Sequence, residues 1–293
     1  MDNMTAKMSC FVRAYHYKNN GTWIFKDEFA EAMLGKNDYD AIAQNLTAGI
    51  EFFCPGFKGT KEEALAFIVE HQLAPSVLGR SAFNERHLSN EIRLGARQYI
   101  IFAAGYDTCA FRNGNFPIKI FELDLPQMIE DKSIREEAMG ISYTGNRIML
   151  ACNLEQSDWK SQLEISGYQK DKKTYCSILG ISYYMDRESF GKLIKDVSDI
   201  VSAGSAICFD YPSTCESEET RKNEKLAGKA GEEMKAKYTA QEIQHILSES
   251  GFLVYEHINA EEMTKQYMQD YNDATGKSMS APVGVEYVLA VKR

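Results

Sequence analysis

Three patterns that support many functional assignments are absent from this sequence. Its seven cysteines include no C-x-x-C pair, and its five histidines include no H-x-x-x-H pair. We therefore expect no structural zinc, no catalytic metal, and thiols that are reduced and mostly buried. No apolar run approaches the roughly 20 residues of a membrane-spanning helix, and the N-terminus has no apolar signal core. We expect a soluble, cytoplasmic protein with no membrane partner.

Basic residues are also in the minority. The sequence has 33 lysines and arginines but 42 aspartates and glutamates, which gives a formal net charge of −9 and a pI near 5.2. The long-range field of an acidic protein repels phosphates. The composition therefore argues against a nucleic-acid partner and against an anionic membrane surface.

Seven short, β-rich apolar runs are present, and all of them follow residue 97. They start at residues 98, 117, 147, 174, 205, 252 and 285 and read QYIIFA, PIKIFELD, RIMLAC, TYCSILGIS, SAICFDYP, FLVYEHI and VEYVLAVKR. Amphipathic stretches separate most of them, which predicts an α/β fold with a mainly parallel sheet covered by helices. A loop rich in Glu, Met and Tyr joins the last two runs, so the final strand should be antiparallel.

We divide the chain into two parts and expect the first to be structurally continuous with the second. Residues 1–97 are helix-rich and predict an N-terminal helical cap, and residues 98–293 predict the core. Within the core, residues 213–237 are charged and poor in apolar anchors. Such a segment is typical of a solvated helix or a mobile loop, and the functional alternative is a lid over a site.

Local signals mark several helix ends. Thr60 and Thr239 each begin a capping-box pattern, and Asp186 can cap the long helix that follows it. We expect Gly204 to end that long helix and Gly251 to end the helix that starts after Thr239.

The first strand run breaks into a turn at Ala103-Ala104-Gly105. In an open parallel sheet the ligand crevice lies at the carboxyl ends of the strands, where a glycine lets a ligand approach the backbone. The G-x-G-x-x-G pattern of a dinucleotide turn is missing, since only Gly105 is present. Taken alone, the turn is more typical of a strand that simply passes into a helix.

Two carboxylates close the second run. Glu122 and Asp124 lie two residues apart, so their side chains share one face of the strand. An acid roughly 20 residues after a glycine turn suits a ribose, because a carboxylate accepts hydrogen bonds from both hydroxyls. The alternative is a solvated strand end at which Pro126 starts a helix. The combination with the glycine turn favours ribose binding by Glu122 or Asp124.

Together these motifs resemble a known family. RQYIIFAAGYDTCAFR is similar to the glycine motif of the leucine carboxyl methyltransferase family, and FELDLPQMIEDK is similar to its acidic motif. That family belongs to the class I S-adenosylmethionine-dependent methyltransferases and includes O-methyltransferases of polyketide biosynthesis. CNLEQSDW, ILGISYYMDRESFGKLI, FVRAYHY and LGRSAFNERHL resemble further segments of it. The resemblance implies a Rossmann-like class I methyltransferase fold and S-adenosylmethionine as the cofactor.

The resemblance also implies roles for residues at matching positions. Arg80, together with Arg13, would pair with the methionine carboxylate of the cofactor, for which a planar guanidinium is well suited. Ala103, Gly105 and Asp107 would form the turn against the amino-acid portion and the sugar. Without the resemblance, both arginines fit surface ion pairs equally well.

Further along the chain, the resemblance implies that Asp124 or Glu122 holds the ribose and that Asn153-Leu154 lies at the adenine. Tyr184 would stand near the cofactor sulfur or at the substrate entrance. On sequence alone, Asn153 is more typical of a turn and Tyr184 of the core.

A general base is hard to find. His16, His257 and the tyrosines are the only obvious candidates, and His16 is attractive because RAYHY precedes the domain like a lid. A surface histidine is the simpler reading of His16. A carboxylate acceptor is already ionised and needs no base, so the shortage weakly favours a carboxylate.

Three positions depart from the family pattern. Family members usually have a glycine at Ala103, an aspartate at Asn153 and a glutamate at Leu179. These departures suggest altered cofactor binding and leave open a non-catalytic protein that binds the cofactor. A nicotinamide-dependent oxidoreductase is disfavoured by the missing glycines. We therefore predict an S-adenosylmethionine-dependent O-methyltransferase acting on a carboxylate or hydroxyl of a small-molecule acceptor.

Overall fold

One seven-stranded sheet forms the centre of the computed structural model, which describes residues 3–112, 117–140, 146–156, 158–229 and 231–293. The strands are β1 Gln98–Phe102, β2 Lys119–Asp124, β3 Arg147–Ala151, β4 Thr174–Ile178, β5 Ala206–Pro212, β6 Phe252–Ile258 and β7 Val285–Lys292. Their order is β3-β2-β1-β4-β5-β7-β6, and within these ranges only β7 runs antiparallel to its neighbours. The predicted α/β fold with an antiparallel last strand is confirmed.

The sheet order reverses at β1. The chain passes from β1 to β2 and β3 on one side, then returns to β4 on the other side of β1. Phe102, the last residue of β1, is level with Leu123 of β2 and Ile178 of β4. The carboxyl ends of these three strands therefore form one edge, and the crevice of such a sheet lies there.

Helices cover both faces of the sheet. They are α1 Met4–Asn19, α2 Ala30–Leu34, α3 Lys36–Ala48, α4 Ile50–Phe53, α5 Lys61–Ile68, α6 Ala74–Arg93, α7 Cys109–Arg112, α8 Pro126–Met139, α9 Trp159–Ile165, α10 Arg187–Ile200, α11 Glu218–Lys229, α12 Ala240–Glu249, α13 Ala260–Met263 and α14 Gln269–Thr275. Single π-helical stretches join α5 to α6 at Val69–Leu73 and α13 to α14 at Thr264–Met268. The helices of residues 3–97 pack on the face that carries Tyr99 and Ile101, and Trp159 and Phe190 pack on the face of Ile100 and Phe102.

Most of the helix-end predictions are confirmed. Thr60 and Thr239 form complete capping boxes with the glutamates three residues later. Asp186 caps α10 by accepting a hydrogen bond from the backbone N–H of Ser189 at 2.7 Å. Gly251, with a φ of 78°, follows the end of α12.

Two predictions of local structure were wrong. The helix after Asp186 ends at Ile200, four residues before Gly204, because the backbone of Val201 is extended, with φ −98° and ψ 147°. The segment between β6 and β7 is helical rather than a loop. Its buried residues Met263 and Met268 are five positions apart across a π-helical turn, and this spacing hides them from a search for a 3.6-residue period.

Residues 213–237 contain the helix α11, flanked by irregular backbone. Residues 1–2 of the predicted cap and residue 230 of this segment lie outside the described residues. Five of the seven cysteines are buried, and all seven are free, as predicted. Among the described residues, no helix combines the length and apolar character needed to cross a membrane.

Candidate active site

The turn after β1 has a left-handed backbone at two positions. Gly105 has a φ of 51° and Ala103 a φ of 49°, and among the described residues Ala103 is the only one besides glycines with a positive φ. An L-residue in this region costs about 1–2 kcal/mol because its Cβ crowds the carbonyl oxygen. Ala103, where the family resemblance leads us to expect a glycine, therefore keeps the shape of the turn under strain.

Asp124 is joined directly to the glycine turn. Its Oδ2 accepts a hydrogen bond from the backbone N–H of Gly105 at 2.7 Å, and its Oδ1 accepts one from Leu125 at 2.7 Å. Burial raises the pKa of Asp124, while these two backbone donors act against that rise. A carboxylate has about four acceptor positions, so each oxygen can still accept a further hydrogen bond.

Glu122 lies deeper in the sheet, two residues before Asp124 on β2. Its side chain is fully buried, with Oε2 2.7 Å from Nζ of Lys132 and Oε1 3.7 Å from Nη1 of Arg147. Burial raises the pKa of Glu122, and the two basic partners counteract the shift. The two carboxylates thus differ in environment: Asp124 meets the turn, whereas Glu122 neutralises two buried cations.

Arg13 contacts the same turn from the N-terminal helix. Its Nη2 donates to the carbonyl of Tyr106 at 2.7 Å, and its Nε donates to Oδ2 of Asp27 at 2.8 Å. Asp27 is fully buried and also accepts hydrogen bonds from the hydroxyl of Thr108. The guanidinium of Arg13 therefore holds the backbone of the turn and is already paired with a carboxylate.

Asp27 was missed by the sequence analysis. It stands between Lys26 and Glu28, which are both exposed, and so looks like part of a solvated charge run. Its aromatic neighbours Phe25 and Phe29 are the only local sign that this segment is packed against the core.

Asp107 has a local role in the structure. Its Oδ1 accepts a hydrogen bond from the N–H of Cys109 at 2.7 Å and so opens the short helix α7. At the end of that helix Arg112 is buried, donates to Thr108 Oγ1 at 3.1 Å and pairs with Glu85 of α6. The turn is thereby tied to α6 as well as to the N-terminal segment.

Asn153 and Leu154 follow β3 directly, beside the end of β2. The backbone N–H of Cys152 donates to the carbonyl of Asp124 at 2.8 Å, which brings the two strand ends together. Asn153 Oδ1 accepts a hydrogen bond from the N–H of Glu155 at 3.0 Å, and Leu154 is half-buried against the core. Both residues therefore lie at the sheet edge that carries Asp124.

Arg80 reaches the end of β4 from α6. Its Nη1 lies 3.7 Å from Oδ2 of the fully buried Asp210, and its Nη2 donates to Oγ of Ser9 at 3.0 Å. Asp210 also accepts hydrogen bonds from the N–H of Gly180 at 2.7 Å and the hydroxyl of Tyr183 at 2.9 Å. A Cβ at Gly180 would approach Arg80 to 3.0 Å, so a side chain there would displace the guanidinium.

A cavity of about 660 Å³ opens next to Arg80. Its walls come from α1, α3, α4, α6, the ends of β4 and β5, and the segment 213–237. Arg80, Gly180 and Tyr184 lie on its lining, and most of the remaining lining is apolar. The helix α1 contributes to this cavity through Thr5 and Met8 and also covers the glycine turn, where Ala6 lies next to Gly105.

The structure does not bring the two histidine candidates to this cavity. His16 is buried, its Nε2 accepts a hydrogen bond from the N–H of Ile24 at 3.0 Å, and burial lowers its pKa to about 4. His257, on β6, pairs with Glu286 at 2.7 Å. Neither lines the 660 Å³ cavity, so we do not retain either as a general base. Within the described residues, no cluster of three or more His, Cys, Asp or Glu side chains could hold a metal ion.

Leu179, where the family resemblance leads us to expect a glutamate, follows β4 and packs half-buried against the core. The side chain of Leu179 offers no hydrogen-bonding group. Cofactor hydrogen bonds at this edge must come from other side chains or from the backbone.

Comparison with known proteins agrees with this arrangement. The profile of the leucine carboxyl methyltransferase family matches residues 6–198. YktD of Bacillus subtilis (strain 168), named as a candidate S-adenosyl-L-methionine-dependent methyltransferase, is 31% identical over an alignment that covers 99% of this chain and 98% of YktD.

Two solved structures share the fold. A DUF574 family protein from Streptomyces avermitilis MA-4680 superposes with a TM-score of 0.62 at 11% identity, covering 99% of this chain and 97% of its own. Magnesium protoporphyrin IX methyltransferase from Synechocystis PCC 6803, solved with bound SAH, superposes with a TM-score of 0.50 at 11% identity, covering 88% and 98%. The predicted family is confirmed by the profile and by YktD. The chain therefore belongs to the leucine carboxyl methyltransferase family and is an S-adenosylmethionine-dependent methyltransferase.

Proposed function

We propose that this methyltransferase is an O-methyltransferase that acts on a carboxylate or hydroxyl oxygen of a small molecule bound in the 660 Å³ cavity. The observation that carries this proposal is the continuity of α1, which covers the glycine turn with Ala6 and lines the cavity with Thr5 and Met8. A donor at the turn and an acceptor in the cavity would therefore share one wall.

The residues at the turn suit the methyl donor. Asp124 keeps acceptor capacity on both oxygens for the ribose hydroxyls. Arg80 has its closest carboxylate, on Asp210, at 3.7 Å, which leaves donors for the methionine carboxylate. Asn153 and Leu154 lie at the adjacent strand end, where the adenine would bind. When bound, S-adenosylmethionine supplies a methyl group on a positively charged sulfur.

The contribution of the chain to methyl transfer is alignment and exclusion of water. The cavity lies under residues 213–237, which are held by the N-terminal helices: Gln72 donates to the carbonyl of Glu219 at 2.7 Å, and Lys222 donates to the carbonyl of Phe53 at 3.0 Å. We infer that this segment acts as the lid over the acceptor. Tyr184 would contact the acceptor oxygen from the lining.

A methyl-transfer assay tests the proposal. The protein is incubated with S-adenosylmethionine labelled in the methyl group and with a panel of small carboxylic acids, phenols and alcohols. We expect label in an ester or ether of at least one panel member. D124A should lose this activity, and E155A, which removes an exposed acid after β3, should retain it. Label found only on nitrogen, on sulfur or on polypeptide would contradict the proposal.

A further inference from the structure

The edge of the sheet opposite the cavity carries an exposed basic surface. β1 and β4 begin level with each other, and the chain enters them from residues 93–97 and 165–173. These two segments, which we call the entry turns, contain five basic residues and one acid, a formal charge of +4 in a chain of −9. The basic residues are Arg93, Arg97, Lys170, Lys172 and Lys173.

Hydrogen bonds join the entry turns into one surface. The N–H of Arg97 donates to the carbonyl of Lys173 at 2.9 Å. Lys119, the first residue of β2, donates its N–H to the carbonyl of Arg97 at 2.9 Å and its Nζ to the carbonyl of Ser166 at 3.0 Å. The Nζ of Lys173 donates to the carbonyl of Leu94 at 3.4 Å. The basic residues therefore lie on a single patch at the amino ends of three neighbouring strands.

Few of these charges are neutralised within the chain. Among the described residues, the ion pairs of the entry turns are those of Lys173 with Glu91 at 2.8 Å and of Lys172 with Asp171 at 3.8 Å. The second pair is exposed, and an exposed ion pair contributes little. The exposed basic residues outside these pairs are Arg93, Arg97 and Lys170.

Two apolar side chains project beside the basic residues. Ile165 is 87% exposed and Leu94 is 67% exposed, and within the described part of the chain Ile165 is the most exposed large hydrophobic residue. Ile165 ends α9 on one face of the sheet, and Leu94 follows α6 on the other face. The strand starts, with their basic residues, lie between these two apolar side chains.

We propose that the entry turns bind an anionic lipid surface. Anionic lipids attract lysine and arginine side chains, and apolar side chains next to them enter the boundary between the headgroups and the acyl chains. The exposed residues of the entry turns include no aromatic ring, whereas protein interfaces and sites for single-stranded nucleic acid favour aromatic residues. The combination of basic and aliphatic side chains therefore favours lipid over either of these partners.

The acidic composition led us to expect no such surface, because a net charge averages over the whole molecule. Close to a membrane, only the charges that face it count, since charges more than about 8–10 Å away are screened at physiological ionic strength. The cavity lies at the carboxyl ends of β4 and β5 and so faces away from the lipid in this orientation. The inference is therefore independent of the identity of the methyl acceptor.

Sedimentation with vesicles tests the proposal. The full chain is mixed with sucrose-loaded vesicles of phosphatidylcholine alone or of phosphatidylcholine and phosphatidylserine in equal parts. We expect binding at least about ten-fold stronger to the vesicles with phosphatidylserine, because several basic residues face the lipid together. This binding should weaken several-fold when NaCl is raised from 0.05 M to 0.5 M. Equal binding to both vesicles, or binding to poly-glutamate but to neither vesicle, would overturn the proposal, and the second result would assign the patch to an acidic protein.

Matched charge reversals separate the patch from the net charge. K170E/K172E changes two exposed residues of the entry turns, and K58E/K61E makes the same change at two exposed positions next to α4, on the cavity side. We expect K170E/K172E to bind vesicles with phosphatidylserine at least about five-fold more weakly than K58E/K61E. Equal binding by the two variants would contradict a role for the entry turns.

A second pair of variants tests the apolar contact. I165S removes the apolar side chain at the end of α9, and Y255S removes another exposed apolar side chain on β6, outside the entry turns. Circular dichroism checks that both variants are folded. We expect I165S to bind vesicles with phosphatidylserine at least about five-fold more weakly than Y255S, because an isoleucine side chain leaves water on insertion. Equal binding by I165S and Y255S would contradict insertion into the lipid.

Discussion

The hydroxyl of Thr108 lies 2.8 Å from both carboxylate oxygens of Asp27. This contact joins the N-terminal segment to the glycine turn across 81 positions of the chain. Arg13 completes the link, since it contacts Asp27 and the carbonyl of Tyr106. The turn that we assign to the cofactor is therefore held from outside the sheet, by the pair of Asp27 and Arg13.

Replacement of Asp27 by alanine should destabilise the fold strongly. The change removes the fully buried carboxylate that pairs with the largely buried Arg13, and breaking such a pair costs about 3–5 kcal/mol. Urea unfolding should show this loss, and calorimetry should show weaker binding of S-adenosylhomocysteine. E28A, next to it but exposed, should change the free energy of unfolding by about 0.5 kcal/mol or less. Similar losses in both variants would mean that the Asp27 network is not a structural link.

The sheet and its functional edge could be predicted from the sequence because the information is local. β1 and β2 each contain a short β-rich apolar stretch, Tyr99–Phe102 and Ile120–Phe121, and the acid Asp124 stands at the end of β2. Parallel strands bring their carboxyl ends together, so the position of Asp124 next to Gly105 follows from the fold class.

Asp27 and Asp210 could not be predicted in this way. Each is identified only by partners distant in sequence: Thr108 for Asp27, and Gly180, 30 positions away, for Asp210. A single amino-acid sequence contains no signal for contacts between residues so far apart in the chain. The same holds for the choice between Glu122 and Asp124, which share a strand face but differ in partners: Lys132 contacts Glu122, whereas the N–H of Gly105 donates to Asp124.

Replacement of Ala103 by glycine should stabilise the protein. The left-handed backbone at Ala103 costs an L-residue about 1–2 kcal/mol. Glycine has more freedom in the unfolded chain, which lowers the gain in stability by about 0.5–1 kcal/mol. We expect a net gain of about 0.5 kcal/mol in urea unfolding. A104G, at a neighbour without positive φ, should instead lose about 0.5–1 kcal/mol. A loss of stability in A103G comparable to that in A104G would contradict strain at this turn.

Substitutions of the two acids of β2 should change different quantities: one should weaken cofactor binding, and the other should lower stability. D124A should weaken binding of S-adenosylhomocysteine by more than about 1 kcal/mol, because it removes an acceptor for the ribose hydroxyls. E122Q should cost about 3 kcal/mol of stability instead, since it leaves the buried Lys132 facing a neutral partner. Calorimetry and urea unfolding measure the two quantities. Unchanged affinity in D124A, together with loss of affinity in a folded E122Q, would reverse the assignment.

The segment that we propose as a lid should open more readily when Gln72 is replaced by alanine. Gln72 Nε2 donates to the carbonyl of Glu219 at 2.7 Å and to Oδ1 of Asn223 at 2.9 Å, and both partners belong to α11. Loss of these bonds should speed hydrogen exchange of the α11 amides several-fold, corresponding to about 1 kcal/mol. Q241A, an exposed glutamine on α12, is the matched control. Identical exchange of α11 in the two variants would show that Gln72 does not hold the lid.

His16 should make the fold sensitive to mild acid. Burial, followed by the charge of Lys277, lowers the pKa of folded His16 to about 4, whereas an unfolded histidine titrates near 6.5. Between these values the unfolded state binds more protons, so the free energy of unfolding falls as the pH is lowered from about 6.5 to 4. The loss from this residue should reach about 3 kcal/mol at the lower end.

Buried acids with raised pKa values, such as Glu122, stabilise the folded state as the pH falls and so oppose the effect of His16. Variants are therefore needed to isolate the contribution of His16. H16Q removes the titrating ring, so the stability advantage of the unmodified protein over H16Q should be largest at pH 7.5 and should shrink as the pH falls to 4. Q241A, which changes an exposed residue of α12 that does not titrate, should show a constant difference from the unmodified protein. Urea unfolding at pH 7.5, 6 and 4.5 measures both. Parallel stability curves for H16Q and the unmodified protein would mean that His16 takes up its proton equally in the folded and unfolded states.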